Sequence, residues 1–170
     1  RPPGERCLHL GPPLPTMTNA DGTHIQIVQN EDYVLILSEE AIQVRIIRMN
    51  KSHPDIPIQK WMGDSIGHWE GETLVIHTNS FRPEHTISQI ASSEIFEVTE
   101  WITAISKDEL LYTYQIIDPE TYSEPIVAEL PFNRMAAEHQ LYESACHEGN
   151  RAVIDILAGA RRIELDQSNQ

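Results

Sequence analysis

The chain has 170 residues, with 12 basic and 26 acidic side chains, and its formal net charge at pH 7 is −14. This length suits a single domain over residues 1–170, and the negative charge argues against nucleic acid and anionic membrane surfaces as partners. The sequence contains no run of 18 apolar residues, so it predicts no membrane-spanning helix.

The first part of the chain, residues 1–22, is rich in proline, and we expect it to form an extended, irregular arm. The sequence starts with Arg1-Pro2-Pro3 rather than with Met. We therefore expect that a leader was removed and that the protein is periplasmic or secreted.

Alternating apolar residues predict three strands after the arm, over residues 23–29, 32–38 and 41–49. The third strand carries Ile42, Val44 and Ile46 on one face and Gln43, Arg45 and Ile47 on the other. Residues 51–60 contain two prolines and are predicted to form a loop. The segment from Trp61 to Trp69 is predicted to form a turn that leads into the next strand.

Further strands are predicted over residues 73–78, 93–105, 110–117 and 125–132, with a last strand over 141–145. No crossover helix separates them, so we expect an antiparallel meander. Residues 150–162 predict an α-helix capped by Asn150, with an apolar stripe of Val153, Ile156, Leu157 and Ala160. The sequence thus predicts an all-β fold: an antiparallel, lipocalin-like barrel over residues 23–149, with one C-terminal helix packed against it.

A barrel of this size is either filled by its own side chains or holds one small ligand. Tyr112 and Tyr114 share a face with Leu110 and Ile116. If that face is internal, the tyrosines suit a pocket for an organic molecule; if it is external, their hydroxyls only meet water. The predicted substrate-binding side chains are Trp61, Trp69, His68, Tyr112 and Tyr114.

Arg45 is predicted to carry either a functional or a structural charge, because it lies in mid-strand between apolar neighbours. An inward guanidinium must be paired, since an unpaired buried charge is too costly. It could clamp an anion and stabilise developing negative charge, or form a core salt bridge to Glu143 or Asp64. The salt bridge is the favoured interpretation.

Glu143 would share a face of the last predicted strand with Leu141 and Ala145. On an apolar face, burial would raise the pKa of this carboxyl and suit it to general acid or base catalysis. The alternative is that Glu143 faces solvent.

Two histidines are candidates for a general base. His147 precedes the predicted helix and otherwise would only help to close the barrel end, whereas His53 lies in the 51–60 loop and otherwise would be an exposed side chain. Glu143 or Asp64 is the expected carboxylate partner. No HxH, HExxH, CxxC, P-loop or GxGxxG motif occurs, so no metal and no cofactor is predicted.

Two motifs carry a resemblance to a known family. The segment Gly63-Asp64-Ser65-x-Gly67-x-Trp69-Glu70-Gly71-Glu72-Thr73-Leu74-Val75, together with Cys146-His147-Glu148-Gly149-Asn150, resembles a large family of bacterial proteins, mostly uncharacterised and often exported. The likeness extends from about Cys7 to Arg161. Relatives often carry His where this chain has Ile42, so no role is assigned to that position.

Export, as this resemblance implies it, bears on the two cysteines. In an exported protein Cys7 and Cys146 are expected to form one disulfide, which would close a long loop and contribute on the order of 4 kcal/mol. In a cytosolic protein they would be two free thiols.

The predicted function is that of a cofactor-independent enzyme of the lyase or isomerase type, acting by general acid-base catalysis on a small, largely apolar molecule, such as an aromatic one, in the barrel pocket. The alternative is a lipocalin-like protein that binds such a molecule without turnover, with the Trp61–Trp69 turn closing one mouth of the barrel. Strand edges without charged side chains could also pair in a homodimer.

Overall fold

The computed structural model describes residue 7 and residues 24–39, 44–85, 91–143 and 145–168. Within these ranges the chain forms one eight-stranded sheet, a short 3-10 helix (Pro83–His85) and one C-terminal α-helix, so the predicted all-β class is confirmed. The strands are β1 (Ile25–Gln29), β2 (Tyr33–Ser38), β3 (Arg45–Met49), β4 (Asp64–Glu70), β5 (Thr73–Asn79), β6 (Glu97–Ser106), β7 (Glu109–Ile117) and β8 (Ile126–Asn133), and the helix is α1 (Ala152–Ser168).

The strands are neighbours in the sheet in the same order as in the chain. All pairs are antiparallel except β3 and β4, which are parallel. The prediction of a purely antiparallel meander was wrong at this point. A parallel pair needs a connection of a dozen or more residues, and the irregular segment from Asn50 to Gly63 supplies it without a helix.

The sheet curls into a half-barrel, with β1 and β8 at its edges, which agrees with the predicted lipocalin-like barrel. Alternating side chains from β2 to β7 fill the curl, because successive residues of a strand point to opposite faces. The buried core consists of Val34, Ile36, Ile47, Met49, Leu74, Ile76, Phe81, Phe96, Val98, Ile102, Tyr112, Tyr114 and Ile116.

Two of the sequence predictions fail near the ends of the barrel. Residues from Asp64 onwards, predicted as part of a turn, form β4 and pair with β5 along its whole length. The last predicted strand, over 141–145, does not form in residues 141–143 or 145, and Ser144 lies outside the described residues. The predicted arm, apart from Cys7, also lies outside them.

The helix begins where Asn150 caps it, as predicted. The side-chain Oδ1 of Asn150 accepts a hydrogen bond from the backbone N–H of Ala152 at 3.0 Å. The helix does not pack as predicted, however, because none of its residues is buried. Val153 and Leu157 of the expected apolar stripe are about half exposed, at 47% and 53%.

A disulfide joins Cys7 to Cys146, with their Cα atoms 5.7 Å apart, which confirms the predicted pairing. The side-chain amide of Asn150 donates to Cys7 Sγ at 2.8 Å, so the helix cap and the disulfide are in contact. In the described part of the chain, no helix has the length and apolar character required to cross a membrane.

Candidate functional site

Strand register aligns a row of side chains on the outer face of the sheet, the face turned away from the core. Ile66 of β4 pairs with Arg48 of β3 on one side and with His77 of β5 on the other, and His77 is opposite Thr99 of β6. Neighbouring strands are about 4.8 Å apart, so side chains of this row can reach one another. Arg48 and His77 therefore lie on either side of β4.

Asp64, at the start of β4, anchors this outer face with a nearly buried carboxylate that is 7% exposed. Its Oδ1 accepts a hydrogen bond from Lys60 Nζ at 3.0 Å, and its Oδ2 accepts from Arg48 at 2.5 Å and from His53 Nδ1 at 2.9 Å. Burial raises the pKa of Asp64, but these donors and the charge of Lys60 outweigh it and hold the pKa below its ordinary value. Asp64 is therefore an anion at neutral pH.

His53 lies between Asp64 and His77. It belongs to the predicted loop that follows β3, and Arg48, which donates to the carbonyl oxygen of Ser52 at 3.4 Å, helps to hold that loop on the sheet. The Nε2 of His53 is 2.8 Å from Nδ1 of His77, and the two rings meet edge to face with centroids 5.0 Å apart. Asp64, His53 and His77 thus form one continuous chain of hydrogen bonds.

The partners determine where the protons lie in the neutral chain. The Asp64 carboxylate can only accept, so His53 carries its proton on Nδ1. The Nε2 of His53 then has a lone pair and accepts the Nδ1 proton of His77. This leaves the Nε2 of His77 unprotonated, with a lone pair of its own.

Exposure increases along the chain from the core to the surface. The exposed fractions of the side chains are 7% for Asp64, 19% for His53, 35% for His77 and 46% for Glu97. Glu97 Oε2 is 3.6 Å from Nε2 of His77, at the exposed end of the chain. The free nitrogen of the chain is therefore at its solvent-accessible end.

These contacts compare directly with the expectations from the sequence. His53 and Asp64 were predicted as a base and its partner, and the structure brings them together. His77 and Glu97 were not predicted to take part. Their signal was the alternation in β5 and β6, which orients both away from the core, but the register that aligns the two strands is not visible in the sequence.

Arg45 is buried and forms the core salt bridge that the sequence favoured, but with a different partner. Its guanidinium forms two hydrogen bonds with the carboxylate of Glu100, and it also donates to Ser65 Oγ at 3.0 Å and to Thr78 Oγ1 at 2.6 Å. Among the described residues, neither expected partner, Glu143 or Asp64, forms a hydrogen bond or an ion pair with Arg45. Tyr112 also donates to Glu100, at 2.8 Å, so the network is fully internal.

The predicted substrate-binding side chains do not gather in one pocket. Tyr112 and Tyr114 are on the inner face of the sheet, which is the first of the two alternatives. Both belong to the packed core, and burial raises the pKa of Tyr114. The guanidinium of Arg82 lies 5.1 Å above the Trp61 ring. Trp69 is half exposed, and His68 is an exposed partner of Glu70 at 3.0 Å.

Glu143 and His147 lie away from the other predicted catalytic residues. Glu143 is exposed and outside any strand, so the burial on which its acid-base role depended is absent. His147 is exposed in the turn beside the disulfide. Within the described ranges, neither side chain has a hydrogen-bond partner, and neither reaches Arg45 or Asp64.

A second feature, at the other end of the sheet, was missed by the sequence analysis. An open cleft of about 990 Å³ lies among the start of β1, the β6–β7 hairpin, the end of β8 and residues 135–141. At its edge His24 Nδ1 is 2.8 Å from Glu39 Oε2, and the rings of His24 and His139 have centroids 6.3 Å apart. The hydrogen bond from His24, followed by the one from the Tyr142 N–H, lowers the pKa of Glu39.

No three His, Cys, Asp or Glu side chains in the ranges that the structure describes are arranged to hold a metal ion. The residue chemistry of both features is that of proton transfer and hydrogen bonding. Comparison with protein-family models, with curated proteins and with solved structures gave no match.

Proposed function

We propose that the protein is an acid-base enzyme of the lyase or isomerase type, whose general base is the Asp64–His53–His77 chain and whose substrate is a small, largely apolar organic molecule. The observation that carries the proposal is the continuous hydrogen-bonded chain from a buried carboxylate to an accessible imidazole nitrogen. Such a chain supplies a base that is oriented before the substrate arrives. It requires neither a metal nor a cofactor.

The proposed step begins at the lone pair of His77 Nε2. This nitrogen takes a proton from an acidic C–H of the substrate, and the electron pair of the broken bond remains on the substrate. Return of the proton to another carbon completes an isomerisation, and departure of a leaving group completes an elimination. His53 and Asp64 hold the ring in one tautomer, and Glu97 Oε2 lies 3.6 Å from the nitrogen that receives the proton.

Deuterium exchange tests the proposal without knowledge of the natural substrate. The protein is incubated in D2O with a panel of small aromatic and aliphatic ketones, and deuterium incorporation at the carbon beside the carbonyl is followed by NMR. We expect exchange above the buffer rate for some members of the panel. Substitution His77→Gln should reduce it by about 10²-fold or more, the usual range for loss of a general base.

A matched control is available in the same sheet. His68, in β4, also contacts a carboxylate, that of Glu70 at 3.0 Å, but this pair is exposed and is not part of the chain. Substitution His68→Gln should leave exchange unchanged. Absence of exchange across the panel, or equal losses in both variants, would contradict the proposal.

We further propose that the protein is exported and belongs to the bacterial family that its two motifs resemble. The disulfide supports export, because such bonds persist in oxidising compartments. Mass spectrometry of the endogenous protein, with and without reductant before alkylation, tests this directly. A homodimer through the strand edges remains a proposal, and its test is the molar mass in solution.

The open cleft supports a second candidate function, the binding of a small organic molecule without turnover. Its volume of about 990 Å³ is sufficient for such a ligand. Its walls include partly buried apolar side chains, among them Ile25, Ile27, Leu110 and Phe132. The two candidates are separable, because the cleft and the histidine chain are at opposite ends of the sheet.

A further inference from the structure

We propose that the cleft binds an uncharged aromatic molecule that bears a hydroxyl group, with the hydroxyl donating a hydrogen bond to Nε2 of His24. This inference deepens the second candidate function and rests on it. It concerns a site that is separate from the Asp64–His53–His77 chain. Along β6 alone, Thr99 opposite His77 and Ala104 in the cleft are five positions apart, or about 16 Å.

The proton of His24 is assigned by its partner. Glu39 Oε2 lies 2.8 Å from His24 Nδ1, and a carboxylate whose pKa is lowered is an acceptor, so Nδ1 carries the proton. In the neutral ring the other nitrogen, Nε2, is then an acceptor. It has no hydrogen-bond partner among the residues that the structure describes. A ligand that meets it must therefore bring a donor.

Glu39 also fixes the wall that faces His24. Its Oε1 accepts the backbone N–H of Tyr142 at 2.9 Å, which ties the segment after β8 to the end of β2. The same segment carries His139, whose ring is next to that of His24. One carboxylate thus orients the His24 ring and holds the segment that carries His139.

The other residues that line the cleft favour an uncharged aromatic ligand. The charged residues that line the cleft are balanced in number, with Lys107 and Arg134 against Asp108 and Glu109. Both cations are paired with Asp108, at 3.1 and 3.4 Å. The apolar wall includes Phe132, whose ring stacks on Tyr112 of the core with centroids 5.1 Å apart. A flat ring packs well on such a wall, whereas an anion would find no unpaired cation among these residues.

Fluorescence titration at pH 8 with two probes tests the inference: 1-naphthol, which has the hydroxyl, and naphthalene, which lacks it. We expect wild-type protein to bind 1-naphthol about fivefold more tightly, because one hydrogen bond contributes about 1 kcal/mol net. Substitution His24→Phe keeps the ring and removes its nitrogens, so it should abolish the preference. His24 is 44% exposed, and its replacement should leave the fold intact.

Two further variants make the outcomes distinct. His68→Phe, remote from the cleft, should keep the preference, and Ala137→Trp, which narrows the cleft, should weaken both probes. Equal affinity for both probes, or a preference that survives His24→Phe, would overturn the inference and leave binding in the cleft intact. Failure of both probes to bind would overturn the inference together with the second candidate function.

Discussion

The Asp64 carboxylate is the common hydrogen-bond acceptor of three neighbouring side chains. It holds Lys60, Arg48 and His53 with a single carboxylate, and its side chain is nearly buried. Loss of that charge would leave two cations and the loop histidine without their common acceptor. The consequence is a defined dependence of stability on pH.

We expect the free energy of unfolding at acid pH to depend on the ionisation of Asp64. The pKa of Asp64 in the folded protein is below its ordinary value of 3.8, so the folded state keeps this group ionised where the unfolded chain already binds a proton. The stabilisation is therefore complete above about pH 4 and is lost as the pH falls through the lowered pKa. Substitution Asp64→Asn should cost about 1–3 kcal/mol at pH 7 and flatten the acid limb.

Urea unfolding between pH 2 and pH 7 measures this effect. Burial raises the pKa of Asp118, which is 2% exposed, but hydrogen bonds from Ser93 outweigh it and lower the pKa, and Asp118 remains in both proteins. Only the difference between the two pH profiles is therefore assigned to Asp64. Asp55→Asn, in the exposed part of the same loop, serves as the control. An unchanged acid limb in Asp64→Asn would refute the prediction.

Arg45 shows how far sequence reasoning reaches at a single residue. Alternation with Ile47 indicates an inward side chain, and the cost of an unpaired buried charge requires a partner; both inferences are confirmed. The partner, Glu100, is 55 residues away and could not be identified, because its pairing depends on how β5 and β6 are aligned. The sequence did contain one signal: Glu100 alternates in step with Val98 and Ile102, so its acidic side chain points to the core with theirs.

Local sequence patterns also predict most of the strands but not β4. The regular strands β1, β2 and β5 to β8 follow their alternating or apolar patterns, whereas β4 contains Gly67 and charged residues and was predicted as a turn. Gly67 is required there by packing, since a Cβ would lie 2.9 Å from Ile47 Cγ2 and 3.2 Å from Met49 Sδ. The parallel pairing of β3 and β4 has no local signal in the sequence, because the crossover that permits it is an irregular segment.

Gly63 is the last residue of that crossover, immediately before β4, and its replacement gives the second prediction. Its φ of +66° is costly for other residues, and a Cβ would lie 2.6 Å from Thr78 Cγ2 and 2.7 Å from Asn79 O. Substitution Gly63→Ala should therefore destabilise the protein by about 2–4 kcal/mol, from backbone strain and overpacking together. The measurement is the free energy of unfolding in urea.

Gly71, in the β4–β5 turn, provides a matched control. Its φ is +62°, almost the same, but an added Cβ would meet nothing within 4 Å. Gly71→Ala should therefore show the backbone cost alone, about 1 kcal/mol. Similar losses in the two variants would show that the close contacts at Gly63 do not matter.

On the scale of the whole molecule, the two candidate sites use the two faces and two ends of one sheet. The histidine chain is on the outer face of β4 and β5, the Arg45–Glu100 network fills the inside, and the cleft is at the opposite end. Sequence analysis could identify His53 and Asp64, since each belongs to a segment with unusual residues. It could not identify His24 and Glu39, which meet only because β1 and β2 form a hairpin.

The disulfide connects the N-terminal segment at Cys7 to Cys146, shortly before α1, and its removal gives the last prediction. The buried core lies within residues 34–116, and α1 buries no side chain, so Cys7–Cys146 stabilises the fold chiefly by restricting the unfolded chain over a separation of 139 residues. The double substitution Cys7→Ser and Cys146→Ser should lower the free energy of unfolding by about 2–5 kcal/mol, while the histidine NMR signals of the outer chain stay unchanged. Reduced wild-type protein should unfold like the double variant, and unfolding at the same denaturant concentration with and without reductant would contradict this account. His77 lies in β5 and His53 in the loop between β3 and β4, so reduction of the disulfide should leave deuterium exchange unchanged. Loss of exchange on reduction would also contradict this account.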